Sequence, residues 1–198
     1  MKKVAVTGGL ASGKTTVCDI FHSLGAEVVH ADAIVHQLLS SDSQIIQAVI
    51  RLIGQEALEG NQLNRAIIAK IVFDKPELLS SLEEILHPAV QRKIEERFSQ
   101  VCASNDAPLF VAEIPLLFES GAEKFYDLTI CVLADTEERQ RRYLHRQKDF
   151  VNDFEKRQQK QWTQERKAEL ADIILYNNGS FEELKENITT LFHSLTQT

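Results

Sequence analysis

The sequence has few of the residues that cross-link a small protein or staple it with a metal. Cys18, Cys102 and Cys131 are its only cysteines, and none of them forms a Cys-x-x-Cys motif. The six histidines show no paired ligand spacing either. This pattern argues against a disulfide framework and against a structural zinc site, and it is typical of reduced thiols in a cytoplasmic protein.

Long apolar runs and excess positive charge are also missing. No apolar run reaches the roughly 18 residues that a membrane span needs, and the stretch after Met1-Lys2-Lys3 is too short for the core of a signal peptide. The formal net charge of −7 argues against a protein that coats nucleic acid, because such proteins carry a net basic footprint. The sequence therefore predicts a cytoplasmic protein with no membrane or nucleic-acid partner, and it carries no signature of an oligomeric state.

What the sequence does contain is a globular composition with a repeated strand–helix order. Five short apolar runs have the length and the Val/Ile content of buried parallel strands, namely residues 4–7, 26–30, 109–114, 128–133 and 173–176. A helical stretch from Gly13 to Leu24 closes at Gly25 and leads directly into the second of these runs, which predicts a βαβ unit. We expect an α/β fold with a parallel five-stranded sheet flanked by helices.

Two stretches between the predicted strands have helical spacing instead. Residues 41–106 contain no strand-like run, and we expect one helix from an N-cap at Asp74 through Leu86 and another from Val90 to Val101. An all-helical insertion is thus predicted between the second and third strands. A second helical excursion, highly charged, runs from about Glu137 to Leu170.

The most specific motif is a glycine-rich loop between the first predicted strand and helix. Residues 8–15 satisfy the pattern G-x-x-x-x-G-K-[ST]. Its backbone N–H groups and the start of the following helix favour a phosphate, Lys14 should reach the β- and γ-phosphates, and the Thr15 hydroxyl should bind Mg²⁺. The alternative is an ordinary glycine-rich turn after an edge strand.

Two carboxylates follow predicted strands, at the sheet edge where open α/β folds bind ligands. Asp32 lies two residues after the second run and is a candidate base for an attacking hydroxyl, although it could also be the N-cap of the next helix. Glu113 ends the third run and is a candidate magnesium or substrate ligand. Its alternative role is a strand-end carboxylate that pairs with a nearby base.

Basic residues concentrate in the late excursion. Arg139, Arg142 and Arg146 are spaced three and four apart and therefore share one helix face. Next to a phosphate loop, this face is a candidate lid that neutralises transferring phosphates and excludes water. The plainer alternative is a solvated charged face.

Together these segments resemble the dephospho-CoA kinases, through nearly the whole chain. The residues that carry the resemblance are Val6-Thr7-Gly8-Gly9, Ser12-Gly13-Lys14-Thr15-Thr16, Ala31-Asp32, Asn64-Arg65, Ile71-Val72-Phe73, Leu82-Glu83-Glu84-Ile85-Leu86-His87-Pro88, Pro115-Leu116-Leu117-Phe118-Glu119, Arg142, Arg146, Gln161, Glu165, Ala171-Asp172 and Asn177. The Leu86-His87-Pro88 and Pro115–Glu119 matches are the most telling, because phosphate-loop kinases in general have no reason to share them.

The resemblance implies a P-loop NTPase-type enzyme that phosphorylates the ribose 3′-hydroxyl of dephospho-CoA with Mg-ATP, in the last step of coenzyme A synthesis. It implies a nucleotide-binding core of residues 1–32, 107–136 and 171–198, a helical CoA-binding insertion of residues 33–106, and a lid of residues 137–170. The implied ATP-binding residues are Gly9, Ala11, Ser12, Gly13, Lys14, Thr15, Thr16, Arg142, Arg146 and Asn177. Those on the acceptor side are Asp32, Arg65, His87, Glu113 and Leu116, with Asp32, Lys14 and Arg142 as the catalytic set. For His87, packing at the start of a helix is the alternative.

Four positions depart from the family pattern. His30 stands where an aspartate is usual and Ala11 where a glycine is common, whereas Arg139 replaces a usual glutamine and Gln147 a usual aspartate. None of these changes removes the loop lysine, the magnesium hydroxyl or the candidate base, so we expect the activity to survive.

Two other functions remain alternatives. Another small-molecule kinase, such as a nucleoside-monophosphate, shikimate or gluconate kinase, could share the phosphate loop, although the long helical insertion argues against it. A nucleotide-dependent switch is a further alternative, but Asn177-Asn178-Gly179 is not the N-K-x-D motif that reads guanine.

Overall fold

The computed structural model describes residues 1–73, 75–146, 151–159 and 161–197. The chain divides into two compact units, one made of Met1–His30 and Phe98–Thr198 and the other of Ala31–Arg97. No described helix combines the length and the apolar content that a bilayer span needs.

The described residues form helices and strands that are numbered here in chain order. In order they are β1 (Lys2–Gly8), α1 (Lys14–Ser23), β2 (Glu27–His30), α2 (Ala31–Ser41), α3 (Ser43–Ile53), β3 (Leu58–Glu59), β4 (Gln62–Leu63), α4 (Arg65–Phe73), α5 (Pro76–Ser104), β5 (Leu109–Glu113), β6 (Leu128–Leu133), α6 (Thr136–Arg146), α7 (Val151–Gln158), α8 (Gln164–Leu170), β7 (Ile173–Tyr176) and α9 (Phe181–Thr196). Short 3₁₀ turns lie at Gln55–Ala57 and Glu123–Phe125.

The first unit is built on a five-stranded sheet in the order β2-β5-β1-β6-β7. All of its strand pairs are parallel. This confirms the predicted fold class, and each predicted strand lies within two residues of an observed one. β1 occupies the centre, with β5 and β6 on either side, so the loop after β1 opens at the point where the chain switches sides of the sheet, which is where such sheets bind ligands.

The core of the first unit explains why the strands are apolar in the sequence. Val4 and Val6 of β1 are fully buried, and they pack with α1 and α9 in one cluster. α1 closes at Gly25, whose φ of +98° matches the left-handed C-cap that the sequence predicted. Because both helices cover the sheet, the phosphate loop is held between a rigid strand and a rigid helix.

The second unit has its own apolar cluster, which includes Leu38 of α2, Val49 of α3, Ile68 of α4 and Leu86 of α5. The expectation of an all-helical insertion was wrong, because β3 and β4 form a small antiparallel hairpin that pairs Leu58 with Leu63. Each strand is only two residues long. Runs that short leave no periodic pattern to detect.

Helix α5 also differs from the prediction of two helices. It runs unbroken from Pro76 to Ser104 with Pro88 inside it. The sequence suggested a break at this proline, because proline lacks the N–H that continues the helical ladder. The proposed N-cap at Asp74 lies outside the described residues.

Candidate active site

The phosphate loop connects β1 to α1 in a tight, partly left-handed path. Gly13, immediately before α1, has a φ of +100°, and Ala11 has a φ of +58°. The Ser12 N–H donates to the Gly9 carbonyl at 3.2 Å. The backbone therefore curls around the N-terminal end of α1, whose unpaired N–H groups favour an anion.

Two glycines of this loop have close neighbours. A β-carbon on Gly8 would overlap the backbone carbonyl of Val132, and one on Gly13 would overlap the side-chain amide of Asn177. Packing against β6 thus requires glycine at position 8, whereas at position 13 the left-handed φ of +100° also favours glycine.

Lys14 lies against the start of the loop. Its side chain is buried, and its ammonium donates to the Gly9 carbonyl at 2.8 Å and to the Gly8 carbonyl at 3.3 Å. The lysine of a phosphate loop reaches the β- and γ-phosphates of a nucleotide. A lysine with that role at this position would place those phosphates at the Gly9 end of the loop.

Thr15, Glu113 and His30 form a connected group, although they are far apart in sequence. The Thr15 hydroxyl donates to Glu113 Oε1 at 3.0 Å, and His30 Nδ1 lies 2.6 Å from Glu113 Oε2. The Glu113 carboxylate therefore pairs with a base, as one alternative expected. It also contacts the Thr15 hydroxyl, which is predicted to bind magnesium. His30 stands where the family usually has an aspartate, and the sequence alone could not show that its ring lies beside Glu113.

The Thr15–Glu113 pair fits a magnesium ion. Magnesium prefers oxygen ligands and usually takes one or two from protein while keeping water and substrate phosphates for the rest. A hydroxyl and a carboxylate 3.0 Å apart beside the phosphate loop match that preference. In the part of the chain that the structure describes, no group of three or more His, Cys, Asp or Glu side chains forms a self-sufficient metal site.

Asn177 and Arg142 hold the far end of the loop. The Asn177 amide donates to the Ser12 carbonyl at 2.8 Å, and Arg142 donates to the Asn177 carbonyl at 2.9 Å and to the Ser12 carbonyl at 3.4 Å. Arg142 also lies 3.6 Å from a Glu138 oxygen. The structure thus brings three predicted ATP-binding residues, Ser12, Arg142 and Asn177, together at the Gly13 end of the loop. Thr16 is half-buried in α1.

Arg139 is the buried member of the predicted arginine face. It is 3% exposed, and its Nη1 would lie 2.8 Å from a β-carbon on Gly9. Burial lowers the pKa of Arg139, and the charge of Glu165 opposes that effect. The pKa of Glu165 is itself lowered, first by its own backbone N–H, so the carboxylate is charged at neutral pH. The solvated-face alternative is wrong for Arg139.

The side chain of Arg146 and all of Gln147 lie outside the described residues.

Two further residues that position the site were not found from the sequence. The Gln164 side chain donates to the Ala134 carbonyl at 2.9 Å and accepts from the Ala134 N–H at 3.3 Å, which fastens α8 to the end of β6. Lys167 is fully buried and contacts the Pro115 carbonyl at 2.6 Å and Glu119 at 2.9 Å. A glutamine and a lysine in a charged helix look like surface residues, so only their contacts reveal them.

The remaining acceptor-side candidates, Leu116 apart, belong to the second unit. Asp32 is the second residue of α2, in the first turn rather than before it, so the N-cap alternative does not describe it. Arg65 begins α4, and its Nη1 lies 3.1 Å from His36 Nδ1. His87 is half-buried in the middle of α5, which excludes the helix-start alternative. Leu116 lies in the first unit, in the turn after β5, where its carbonyl accepts from the Ser120 hydroxyl at 2.8 Å.

Comparisons with protein families, with individual proteins and with solved structures each find relatives that match nearly the whole chain. A family model described as dephospho-CoA kinase matches residues 2–183. A dephospho-CoA kinase of Protochlamydia amoebophila is 42% identical over 98% of this chain and 97% of its own. Among solved structures, a Thermus thermophilus protein has a TM-score of 0.84 at 33% identity, covering 98% of both chains. A dephospho-CoA kinase from Campylobacter jejuni has a TM-score of 0.72 at 28% identity, covering 98% of this chain and 97% of its own.

Proposed function

This chain belongs to the dephospho-CoA kinase family, and we propose that it transfers the γ-phosphoryl group of ATP specifically to the ribose 3′-hydroxyl of its acceptor. Membership makes it an ATP-dependent kinase that phosphorylates dephospho-CoA in coenzyme A biosynthesis. The 3′-hydroxyl, the metal and the roles of single residues are the parts that we propose. For its location we propose the cytoplasm, on the sequence alone.

The observation that carries the proposal is the geometry of the phosphate loop. The buried Lys14 ammonium lies 2.8 Å from the Gly9 carbonyl, at the start of a loop that curls around the N-terminus of α1. Phosphoryl transfer needs positioning and neutralisation of charge on the transferring group more than covalent help from the protein. The loop N–H groups, Lys14 and the Arg142 guanidinium supply that neutralisation.

Magnesium is the proposed metal. Thr15 and Glu113 are the residues that would hold it, Thr15 through its hydroxyl and Glu113 directly or through water. When bound, such an ion neutralises the β- and γ-phosphate oxygens. His30 would keep Glu113 oriented, because its ring nitrogen lies 2.6 Å from the other carboxylate oxygen.

Asp32 is the proposed base. Its carboxylate would orient the attacking 3′-hydroxyl and accept its proton as the new phosphate ester forms. Its support is its place two residues after the end of β2, together with its match to the family's base.

The other proposed assignments concern binding. Residues 33–106 would bind the acceptor, with Arg65, His87 and Leu116 on that side. Residues 137–170 would be the lid, with Arg142 and Arg146 turned to the nucleotide. The buried Asn177, together with the turn through Gly179, would border the adenine.

The test is a coupled assay of ADP release with dephospho-CoA, adenosine, AMP and shikimate as competing acceptors. We expect turnover with dephospho-CoA alone, and product analysis should find the new phosphate on the 3′-oxygen. Equal turnover with AMP or shikimate, or a phosphate elsewhere on dephospho-CoA, would overturn the proposal.

Two substitutions test the residue roles in the same assay. Lys14→Ala should lower kcat by about 10²–10³, because it removes a preorganised cation from the transferring group. Asp32→Asn should lower kcat by about 10²–10⁴ with little change in the KM for ATP. The matched controls are Lys185→Ala and Asp19→Asn, which change exposed side chains outside residues 33–106 and should leave the rate unchanged. Near-native turnover in Asp32→Asn would remove that residue from the mechanism.

A further inference from the structure

A small cavity lies beside the start of the phosphate loop, within the first unit. Its volume is about 120 Å³, and it is lined in part by Gly9, Leu10, Arg139, Gln161 and Trp162. A cavity of this size has room for more than one water molecule. It therefore offers space for a small polar group next to the loop.

Two charged side chains, Glu165 and Arg139, line this cavity, and among the described residues Arg139 is the one with an unpaired buried donor. Its Nη2 reaches the Thr136 hydroxyl only at 3.4 Å, and its guanidinium stacks 5.7 Å from the centre of the Phe154 ring. Among the described residues, the buried Nε has no hydrogen-bond partner. A side chain that is 3% exposed thus holds one donor, Nε, that nothing in the described part of the protein accepts from.

Two glutamines that line the same cavity also have unpaired polar atoms. Gln158 and Gln161 line it, and among the described residues the Oε1 atom of each is buried without a hydrogen-bond partner. The oxygen and nitrogen of an amide are assigned from their surroundings, so each of these groups can also present its NH₂. Buried polar groups are normally paired, by water or by a ligand, and three unpaired ones around one cavity call for a polar occupant.

Arg139 favours an anionic ligand, although the Glu165 carboxylate on the same cavity reduces the positive potential there. A buried guanidinium is costly unless an anion compensates it, and its planar fork matches a phosphate or carboxylate in two parallel hydrogen bonds. Burial lowers the pKa of Arg139, so a neighbouring negative charge stabilises its protonated form. Glu165 supplies part of that charge, but it leaves Nε without an acceptor.

The position of the cavity identifies the anion. Lys14 Nζ lies 2.8 Å from the Gly9 carbonyl, and Arg139 Nη1 would lie 2.8 Å from a β-carbon on the same Gly9. The loop lysine serves the β- and γ-phosphates, so Arg139 lies at that end of the loop. Arg142, by contrast, is engaged at the Ser12 and Asn177 end.

We propose that Arg139 is a further phosphate-binding residue, whose guanidinium binds the γ-phosphoryl group of the nucleotide in the cavity beside Gly9. This inference rests on the proposed function for its nucleotide, and it adds a residue that the family resemblance does not supply, since glutamine is usual at this position. Arg139 then neutralises charge on the group that is transferred, and Arg142 acts at the opposite end of the loop.

The test compares the affinities of ATP and ADP, because only ATP carries the γ-phosphate. Calorimetric titrations with Mg²⁺ and without acceptor are made on the wild type and on Arg139→Gln, which substitutes the usual family residue. We expect the Kd for ATP to rise about tenfold or more, as for the loss of one charge-assisted contact, whereas the Kd for ADP changes less than threefold. Arg139→Lys, which retains the charge, should keep part of the preference for ATP.

The matched control is Arg141→Gln on the same helix, where the exposed guanidinium pairs with Glu138 at 2.8 Å, and it should alter neither Kd. Equal weakening of ATP and ADP, or no change in either, would overturn the proposal. A purely structural Arg139 predicts lower thermal stability with an unchanged ratio of the two Kd values. If Arg139→Gln fails to fold, Arg139→Lys decides by the same ratio. The titrations contain no acceptor, so a kinase that acts on another substrate would still show the change in the ratio of the two Kd values. The proposal for Arg139 and the proposed function can therefore fail separately.

Discussion

At the scale of single residues, the phosphate loop contains one conformation that its side chain does not favour. Ala11 has a φ of +58°, in the left-handed region, where the β-carbon of an L-residue crowds the following carbonyl. Glycine, common at this position in the family, has no such crowding. The chain therefore retains local strain inside the loop that binds phosphate.

Ala11→Gly should raise the free energy of unfolding by about 0.5 kcal/mol. The left-handed conformation costs alanine about 1–2 kcal/mol, and the greater freedom of glycine in the unfolded chain returns about 0.4–1 kcal/mol of that gain. Urea denaturation measures the difference. Ala69→Gly, at an exposed position inside α4, is the matched control and should lose about 1 kcal/mol. A loss of stability in Ala11→Gly would show that the loop is not strained at this residue.

Single residues also show where prediction from the sequence stops. The places of Lys14 and Thr15 at the start of α1 could be predicted, because a local motif of fixed spacing sets them, and their roles stay predictions. The partners of Glu113 could not, since His30 is 83 positions away and Thr15 is 98 away. Lys167 was missed for the same reason, because its contact with Pro115 spans 52 positions. Burial by distant segments leaves no pattern in the residues themselves.

At the scale of elements, α5 is the clearest conflict between local preference and the folded structure. Pro88 is exposed in its interior and cannot donate to the helical ladder. On either side, Leu86 and Ala89 are buried in the cluster of the second unit. Burial of these neighbours keeps the helix continuous where its own propensity would end it, which is why the sequence predicted two helices.

Pro88→Ala should raise the free energy of unfolding by about 1–2 kcal/mol. The change restores an N–H to the helix interior, where proline is about 3 kcal/mol less favourable than alanine. It loses little packing, because the proline ring is exposed. Thermal and urea unfolding provide the measurement. Pro76→Ala is the matched control at the first position of the same helix, where proline is tolerated, and it should not gain stability. An unchanged or lower stability in Pro88→Ala would mean that the proline does not destabilise the interior of α5.

At the scale of the whole molecule, a chain of net charge −7 acts on two polyanions, ATP and dephospho-CoA. Its cations meet the loop at defined points, with Lys14 and Arg139 at the Gly9 end and Arg142 at the Ser12 end. Buried charges act more strongly than exposed ones, because solvent and salt screen them less. Local placement of a few cations therefore outweighs the overall negative charge.

The division into two units predicts which ligand stabilises which part of the chain. If the second unit binds the acceptor, hydrogen exchange with dephospho-CoA should slow in α2 and α4, whereas ADP should slow exchange in the phosphate loop and α1. A ligand at 100 times its Kd stabilises the bound form by about 2.7 kcal/mol. Exchange that requires dissociation should therefore slow about a hundredfold. In Lys14→Ala the effect of ADP should weaken while that of dephospho-CoA persists. Protection by dephospho-CoA of the first unit alone would contradict the assignment of residues 33–106 to acceptor binding, because an acceptor held there must shield the amides that it covers.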